Sequence, residues 1–179
     1  PGFTITTEAC NDYFEAGRTL PAGLWEDVLG AVREVEALTG KGFRIRAMTR
    51  NPGSDAARSV ASTGAEVVPG DLNDAASLKD ALKGAWGVFA VQNPWEAGVE
   101  GEEEQGKRIA TLAREAGVEH FVYTSVGSAH RKTGIPHFEN KYQVEDTIRG
   151  LKFPSHVILR PVFFMENLTS SWFLNGDNL

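Results

Sequence analysis

The chain has 179 residues, enough for one domain or one and a half, and 41% of them are apolar, which supports a buried core. A formal net charge of −6 argues against nucleic acid or an anionic membrane as the main partner. The single cysteine, Cys10, excludes an internal disulfide framework and points to a reducing, cytoplasmic compartment; no apolar run is long enough to span a bilayer. The chain opens at Pro1 and stops at Asn-Gly-Asp-Asn-Leu, so both ends read as cuts in something longer.

In chain order, Phe3–Thr6 reads as a short strand, and Thr7 caps a short helix to Ala16. Pro21 opens a longer helix whose Leu24, Val28, Val32 (or Ala31), Val35 and Leu38 fall at three- and four-residue spacing; Gly40 stops it. Phe43–Thr49 is a strand in which Ile45 and Ala47 alternate with Arg44, Arg46 and Met48. Arg50 and the turn Asn51-Pro52-Gly53 follow, then a helix from Ser54. Ala65–Val68 is a strand closed by Pro69-Gly70. Asn73 is placed to cap a helix with Leu78 and Leu82 on one face and Gly84 just past its end.

Trp86–Val91 is a continuous apolar run of strand length, as expected for a strand covered on both faces. Gln92–Glu96 reads as a loop, and a helix from about Glu102 to Ala116 buries Ile109, Leu112 and Ala113. Its acidic run, Glu102–Glu104, fits a solvated first turn favoured by the helix dipole. Val118–Thr124 is a strand, Ser125–Pro136 a polar loop, Phe138–Arg149 a helix and Ser155–Arg160 a last strand. The β-α-β-α order implies a parallel sheet with right-handed crossovers and helices on both faces.

One expected motif is absent. A doubly wound nucleotide-binding sheet opens with a strand, a glycine-rich turn and a helix. The early glycines stand at 2, 17, 23, 30, 40 and 42 and form no G-x-G-x-x-G.

The strings RAMTRNP, GAEVVPGDLND, GVFAVQNPWE, AGVEHFVYTSVGSAHR, GIPHFENK and ILRPVFFMENL run in that order between about Phe43 and Leu168. Over this stretch the chain resembles the NmrA-like family, atypical members of the short-chain dehydrogenase/reductase group. The resemblance implies a Rossmann fold that binds NAD(P), preferentially NADP(H), in proteins that act as reductases or as redox sensors binding without catalysis. Residues 1–42 carry PGFTITTEAC and LPAGLWEDVL and resemble an N-terminal segment of pyruvate phosphate dikinase. That family's ATP contacts lie mostly before and after this segment, so no kinase residue carries over. The simplest account is a chimera joined near Gly40–Phe43.

The expected organisation is a dikinase-like strand and helices over 1–42, then an NmrA-like Rossmann domain over 43–179 lacking its first βα unit and its C-terminal substrate region. The fold expectation is therefore α/β, an incomplete doubly wound parallel sheet without its usual first strand and Gly-rich loop. Unpaired strand backbone at such a gap is costly. Phe3–Thr6 is accordingly expected to take the central place, with the Pro21–Thr39 helix as the first crossover.

Arg50 ends a strand before a turn, where a guanidinium can grip a ribose 2′-phosphate with two parallel hydrogen bonds; the bland alternative is an exposed loop arginine. The resemblance places Asp71 and Leu72 along the adenine, with a turn or cap carboxylate as the alternative for Asp71. Gln92 and Asn93 end the fourth strand where a cofactor crosses the sheet, and Thr124 and Ser125 end the fifth. Pro161 joins the cofactor contacts by the same resemblance. In the wider group a Ser, a Tyr and a Lys act together, with the Tyr four residues before the Lys. Here Ser125 and Lys141 match, and His137 stands in the Tyr place. Tyr142, next to Lys141, points about 100° away around a helix and cannot replace it. His130 and His137 lack the Cys or carboxylate pattern of a metal site.

Thr6-Thr7-Glu8-Ala9 would replace the glycine turn with side-chain bulk and a carboxylate. Three functions follow: an NmrA-like domain whose NADP(H) binding is weak or lost, with little catalysis; an NADPH-dependent reductase on an unknown small molecule; or a dikinase fragment without its active site.

Overall fold

The computed structural model describes residues 2–6 and 40–162. Its elements are β1 (Gly2–Thr6), β2 (Arg44–Thr49), α1 (Asp55–Ser62), β3 (Glu66–Pro69), α2 (Ala75–Leu82), β4 (Gly87–Ala90), α3 (Pro94–Glu115), β5 (His120–Thr124), a 3-10 turn (Ala129–Arg131), α4 (Pro136–Leu151) and β6 (Ser155–Leu159). All strand pairs are parallel, in the order β3-β2-β1-β4-β5-β6. The sheet has no gap. Gly2–Thr6 runs beside β2 from Gly2↔Arg44 to Thr6↔Met48 and beside β4 from Phe3↔Gly87 to Ile5↔Phe89. The incomplete sheet expected from the missing first βα unit is thus filled by the strand expected to fill it. The helices expected over Thr7–Ala16 and Pro21–Thr39, Cys10 and the FFMENL segment lie outside the described residues.

Strand alternation divides the interior. Ile45 packs with Ala65, Phe43 and Val60 on one side of the sheet. Met48, of opposite parity, joins the larger core with Leu72, Leu78, Leu82, Val88, Ile109, Phe121, Tyr123, Val144 and Ile148. Arg46 spends its charge on helix geometry. Its Nη1 donates to the carbonyls of Ala81 (2.7 Å) and Lys83 (2.8 Å), the last turn of α2, and its Nε donates to Glu66.

Two local expectations need correction. The α2 cap is Asp74, whose Oδ1 accepts from Ala76 N at 2.9 Å; Asn73 instead closes a turn by donating its N–H to Asp71 Oδ1 at 2.7 Å. The Gln92–Glu96 loop ends early, because Pro94 already starts α3. Gly98, at φ 74° and ψ 167°, breaks that helix after its first turn. Asn140 on α4 donates to Val99 O at 2.8 Å beside the break.

Candidate functional site

The carboxyl ends of β4 and β5 lead into Gln92-Asn93 and Thr124-Ser125, and α3 and α4 pack over them. Close packing there depends on Gly106, since a Cβ at this position would lie 2.8 and 2.9 Å from the two Val144 methyls and 3.5 Å from Gln92 Oε1. On α4 the buried stripe is Lys141, Val144, Glu145 and Ile148. Two charged residues therefore occupy a helix face that the 3.6-residue period assigns to the core.

Each charge is answered. Lys141 is 8% exposed. Its Nζ donates to Thr124 O at 3.2 Å, lies 2.7 Å from Glu102 Oε1 and sits 5.6 Å from the Tyr123 ring centroid. The Glu102 contact is an ion pair, and among the described residues the rest of the carboxylate has no other hydrogen-bond partner. Glu102 is 1% exposed, so the solvated first turn expected for Glu102–Glu104 fails at this residue. Burial raises its carboxyl above the ordinary value, against the lowering pull of Lys141.

Glu145 is also fully buried, with a different outcome. It accepts from Ser125 Oγ (2.5 Å), Arg160 Nε (2.9 Å) and Arg149 Nη2 (2.6 Å). Desolvation pushes its carboxyl up, but the hydrogen bonds from Arg160, Ser125 and Arg149 outweigh it and hold the group below the usual range. Ser125 is buried in this network, with its hydroxyl committed to Glu145 and its N–H donated to Leu159 O.

Several buried polar atoms toward the carboxyl ends of β4 and β5 have no hydrogen-bond partner among the described residues: both amide atoms of Gln92, the Tyr123 hydroxyl and Thr124 Oγ1. Each such atom costs about 1–3 kcal/mol if nothing answers it. The Tyr123 phenol is pushed above its ordinary range by burial and by Glu102, Glu145 and Glu103, so it stays protonated. His137 is half-buried and stacks edge-on against Phe138. Burial and then the Lys141 ammonium lower its pKa, which favours neutral imidazole.

The other sequence-predicted residues have partners of their own. Arg50, at the end of β2, forms an ion pair with Glu96 in the first turn of α3. Asp71 Oδ1 serves the turn, and Leu72 is core, with its carbonyl accepting from Arg108. Asn93 O accepts from Ala97 N at 3.1 Å, and Pro161 O accepts from Gly127 N at 2.7 Å. His130 Nδ1 bonds to Arg160. Tyr142 lies under the Arg149 guanidinium.

Sequence reasoning missed Glu102, Glu145, Tyr123 and Gly106. The signal for Glu102 was present. Carried back one turn at a time from Leu112 and Ile109 through Gln105 and Gly106, the apolar stripe of α3 arrives at Glu102.

The profile of the NmrA-like family matches residues 31–177. The chain belongs to the NmrA-like family. An NmrA-like family domain-containing oxidoreductase of Cladobotryum sp, FrzB, is 36% identical over 135 residues, covering 70% of this chain and 40% of that protein. The chain therefore spans less than half the length of this curated relative. The crystal structure of the Citrobacter sp. triphenylmethane reductase complexed with NADP(H) has the same fold, with a TM-score of 0.69 at 22% identity, covering 97% of this chain and 54% of that one. A pyruvate, phosphate dikinase of Zea mays is 60% identical over 40 residues, 22% of this chain and 4% of that protein.

Proposed function

We propose that this chain carries the nucleotide-binding part of an NmrA-like oxidoreductase, that it takes NAD(P) with preference for NADP(H), and that its affinity and turnover are low. The observation that carries the reading is the set of buried polar groups toward the carboxyl ends of β4 and β5 that are unanswered among the described residues. Gln92 offers a donor and an acceptor, and Thr124 a hydroxyl, at the carboxyl ends of adjacent parallel strands. Doubly wound sheets bind nucleotides at that edge, beside the point where strand order reverses. These groups fit the polar half of a dinucleotide, and Lys141 would hold a ribose hydroxyl. Arg50 would exchange Glu96 for the 2′-phosphate.

The cofactor, when bound, supplies a hydride. The chain's own residues supply orientation and a buried, water-poor setting. His137, kept neutral, is a poor proton donor at neutral pH, and Ser125 is held by Glu145; both features support binding over efficient turnover. Low affinity follows from the absence of a glycine-rich turn. Losing about 4 kcal/mol of pyrophosphate contacts weakens binding about a thousandfold. The dikinase-like segment over 1–42 is read as a replacement for the first βα unit, joined to the NmrA-like domain over 43–179. The partners expected are this cofactor and a small-molecule substrate.

Titrating the protein against NADPH fluorescence, with NADH and ATP as competitors, tests the reading. Saturable NADPH binding in the range of about 0.1–1 mM, displaced more weakly by NADH, is expected. A low-micromolar dissociation constant would remove the claim of weak affinity. Displacement by ATP alone would favour the dikinase-like reading.

A further inference from the structure

We propose that Glu102 is a positioning residue: from α3 it fixes the ammonium of Lys141 at the carboxyl end of β5, so that the lysine meets a bound nucleotide in one orientation. The inference rests on the reading that this edge takes NADP(H).

Four observations carry it. Glu102 is 1% exposed on a helix whose remaining buried face is apolar or small, apart from Gln105, so packing alone gives no reason for a carboxylate there. Its Oε1 lies 2.7 Å from Lys141 Nζ, and Lys141 itself is 8% exposed. The ammonium is held from three sides, by Glu102 on α3, by the Thr124 carbonyl on β5 and by the Tyr123 ring. Finally, Glu102 stands one turn past the Gly98 break in α3, and Asn140, next to Lys141, bonds to Val99 across the two helices.

A lysine side chain has four rotatable carbons and loses much freedom when its head is fixed. A neutral partner would leave an uncompensated buried charge, which drives the chain outward toward water. Glu102 makes the inward position electrically neutral. Its remaining lone pairs stay unanswered among the described residues. The other ionisable groups around the pair are Glu103 on α3, Tyr123 on β5, and His137 and Glu145 on α4. Glu102 is the ammonium's carboxylate partner among the described residues.

The test is a double-mutant cycle on NADPH affinity in the full chain, using Glu102→Gln, Lys141→Met and both together, with Glu102→Asp as the charge-conserving variant. Melting curves confirm that each variant is folded. Glu102→Gln is expected to weaken NADPH about tenfold, Glu102→Asp to recover part of the loss, and Glu102→Gln to add little in the Lys141→Met background. Additive losses, or wild-type affinity in Glu102→Gln, would overturn the proposal.

Labelling of Lys141 by an amine-reactive acylating reagent, read by mass spectrometry, is independent of the cofactor. Lys141 is expected to be slow to label in the wild type and several times faster in Glu102→Gln. If the wild type fails to bind NADPH at all, the functional reading fails, and labelling still decides the positioning role. Equal labelling rates would then refute it.

Discussion

The two ends of the carboxyl edge of the sheet solve the same problem in opposite ways. Around Arg50 and Asp71 the polar groups lie near the surface and satisfy one another: Arg50 takes Glu96, and Asp71 takes the N–H of Asn73. Toward the carboxyl ends of β4 and β5 the polar groups are buried, and the side-chain polar atoms of Gln92, Tyr123 and Thr124 are unanswered among the described residues. A surface pair gains about 0–1 kcal/mol and is easily exchanged for solvent or a ligand. A buried charge has no such freedom, so breaking it is costly. The first end can be remodelled without consequence for the fold, whereas the second is part of the core.

The largest expected effect tests that contrast directly. Glu102→Ala leaves Lys141 buried without its partner and should lower unfolding free energy by about 3–5 kcal/mol, measured by urea denaturation. Replacing both residues, as Glu102→Leu with Lys141→Met, should recover most of it. A loss under about 1 kcal/mol for the single variant would mean that the pair behaves like the exposed one.

Next comes packing between the helices that carry the site. Gly106→Ala puts a methyl group within 2.9 Å of Val144. Overpacking of this kind should cost about 1–3 kcal/mol. Adding Val144→Ala should relieve the clash while leaving its own cavity penalty, so the two changes should fall short of additivity.

The two buried carboxylates should give opposite pH slopes. Glu145 sits below its ordinary value of 4.5, so the unfolded chain binds its proton first. Its stabilisation is present above 4.5 and is lost as pH falls through its lower folded pKa. Glu102 sits above 4.5, so the folded chain keeps the proton longer. Its ionisation erodes stability as pH rises from 4.5 through the folded pKa. Urea midpoints from pH 3 to 7, taken as wild type minus Glu145→Gln and wild type minus Glu102→Gln, should therefore slope upward and downward respectively. Slopes of the same sign would show that the two sites are not electrostatically distinct.

The smallest effect belongs to the exposed end. Glu96→Ala should change stability by no more than about 0.5 kcal/mol. The same variant should tighten NADPH binding slightly and leave NADH unchanged, because it removes a carboxylate that competes with the 2′-phosphate for the guanidinium. A large stability loss would move Arg50–Glu96 into the same class as Lys141–Glu102.

The sequence by itself determined most of the element order from β2 to β6, because strand alternation, helical period and glycine stops are local signals. It also determined that no glycine-rich turn exists, and it supplied the candidates Arg50, Gln92, Thr124 and Lys141. The α2 cap was misplaced by one residue, since Asn73 and Asp74 have equal capping chemistry and only backbone direction separates them. The helical stripe of α3 leads to Glu102, but only the tertiary structure supplies the buried Lys141 that it faces, while Glu104 of the same acidic run is exposed. The phase of α3 against α4, set by the Gly98 break and the close approach at Gly106, turns one carboxylate to Lys141 and leaves the other in water. The central place of the first strand follows from element order, but its register on both sides is tertiary: a five-residue strand specifies its neighbours only through the backbone hydrogen bonds that the rest of the sheet leaves open.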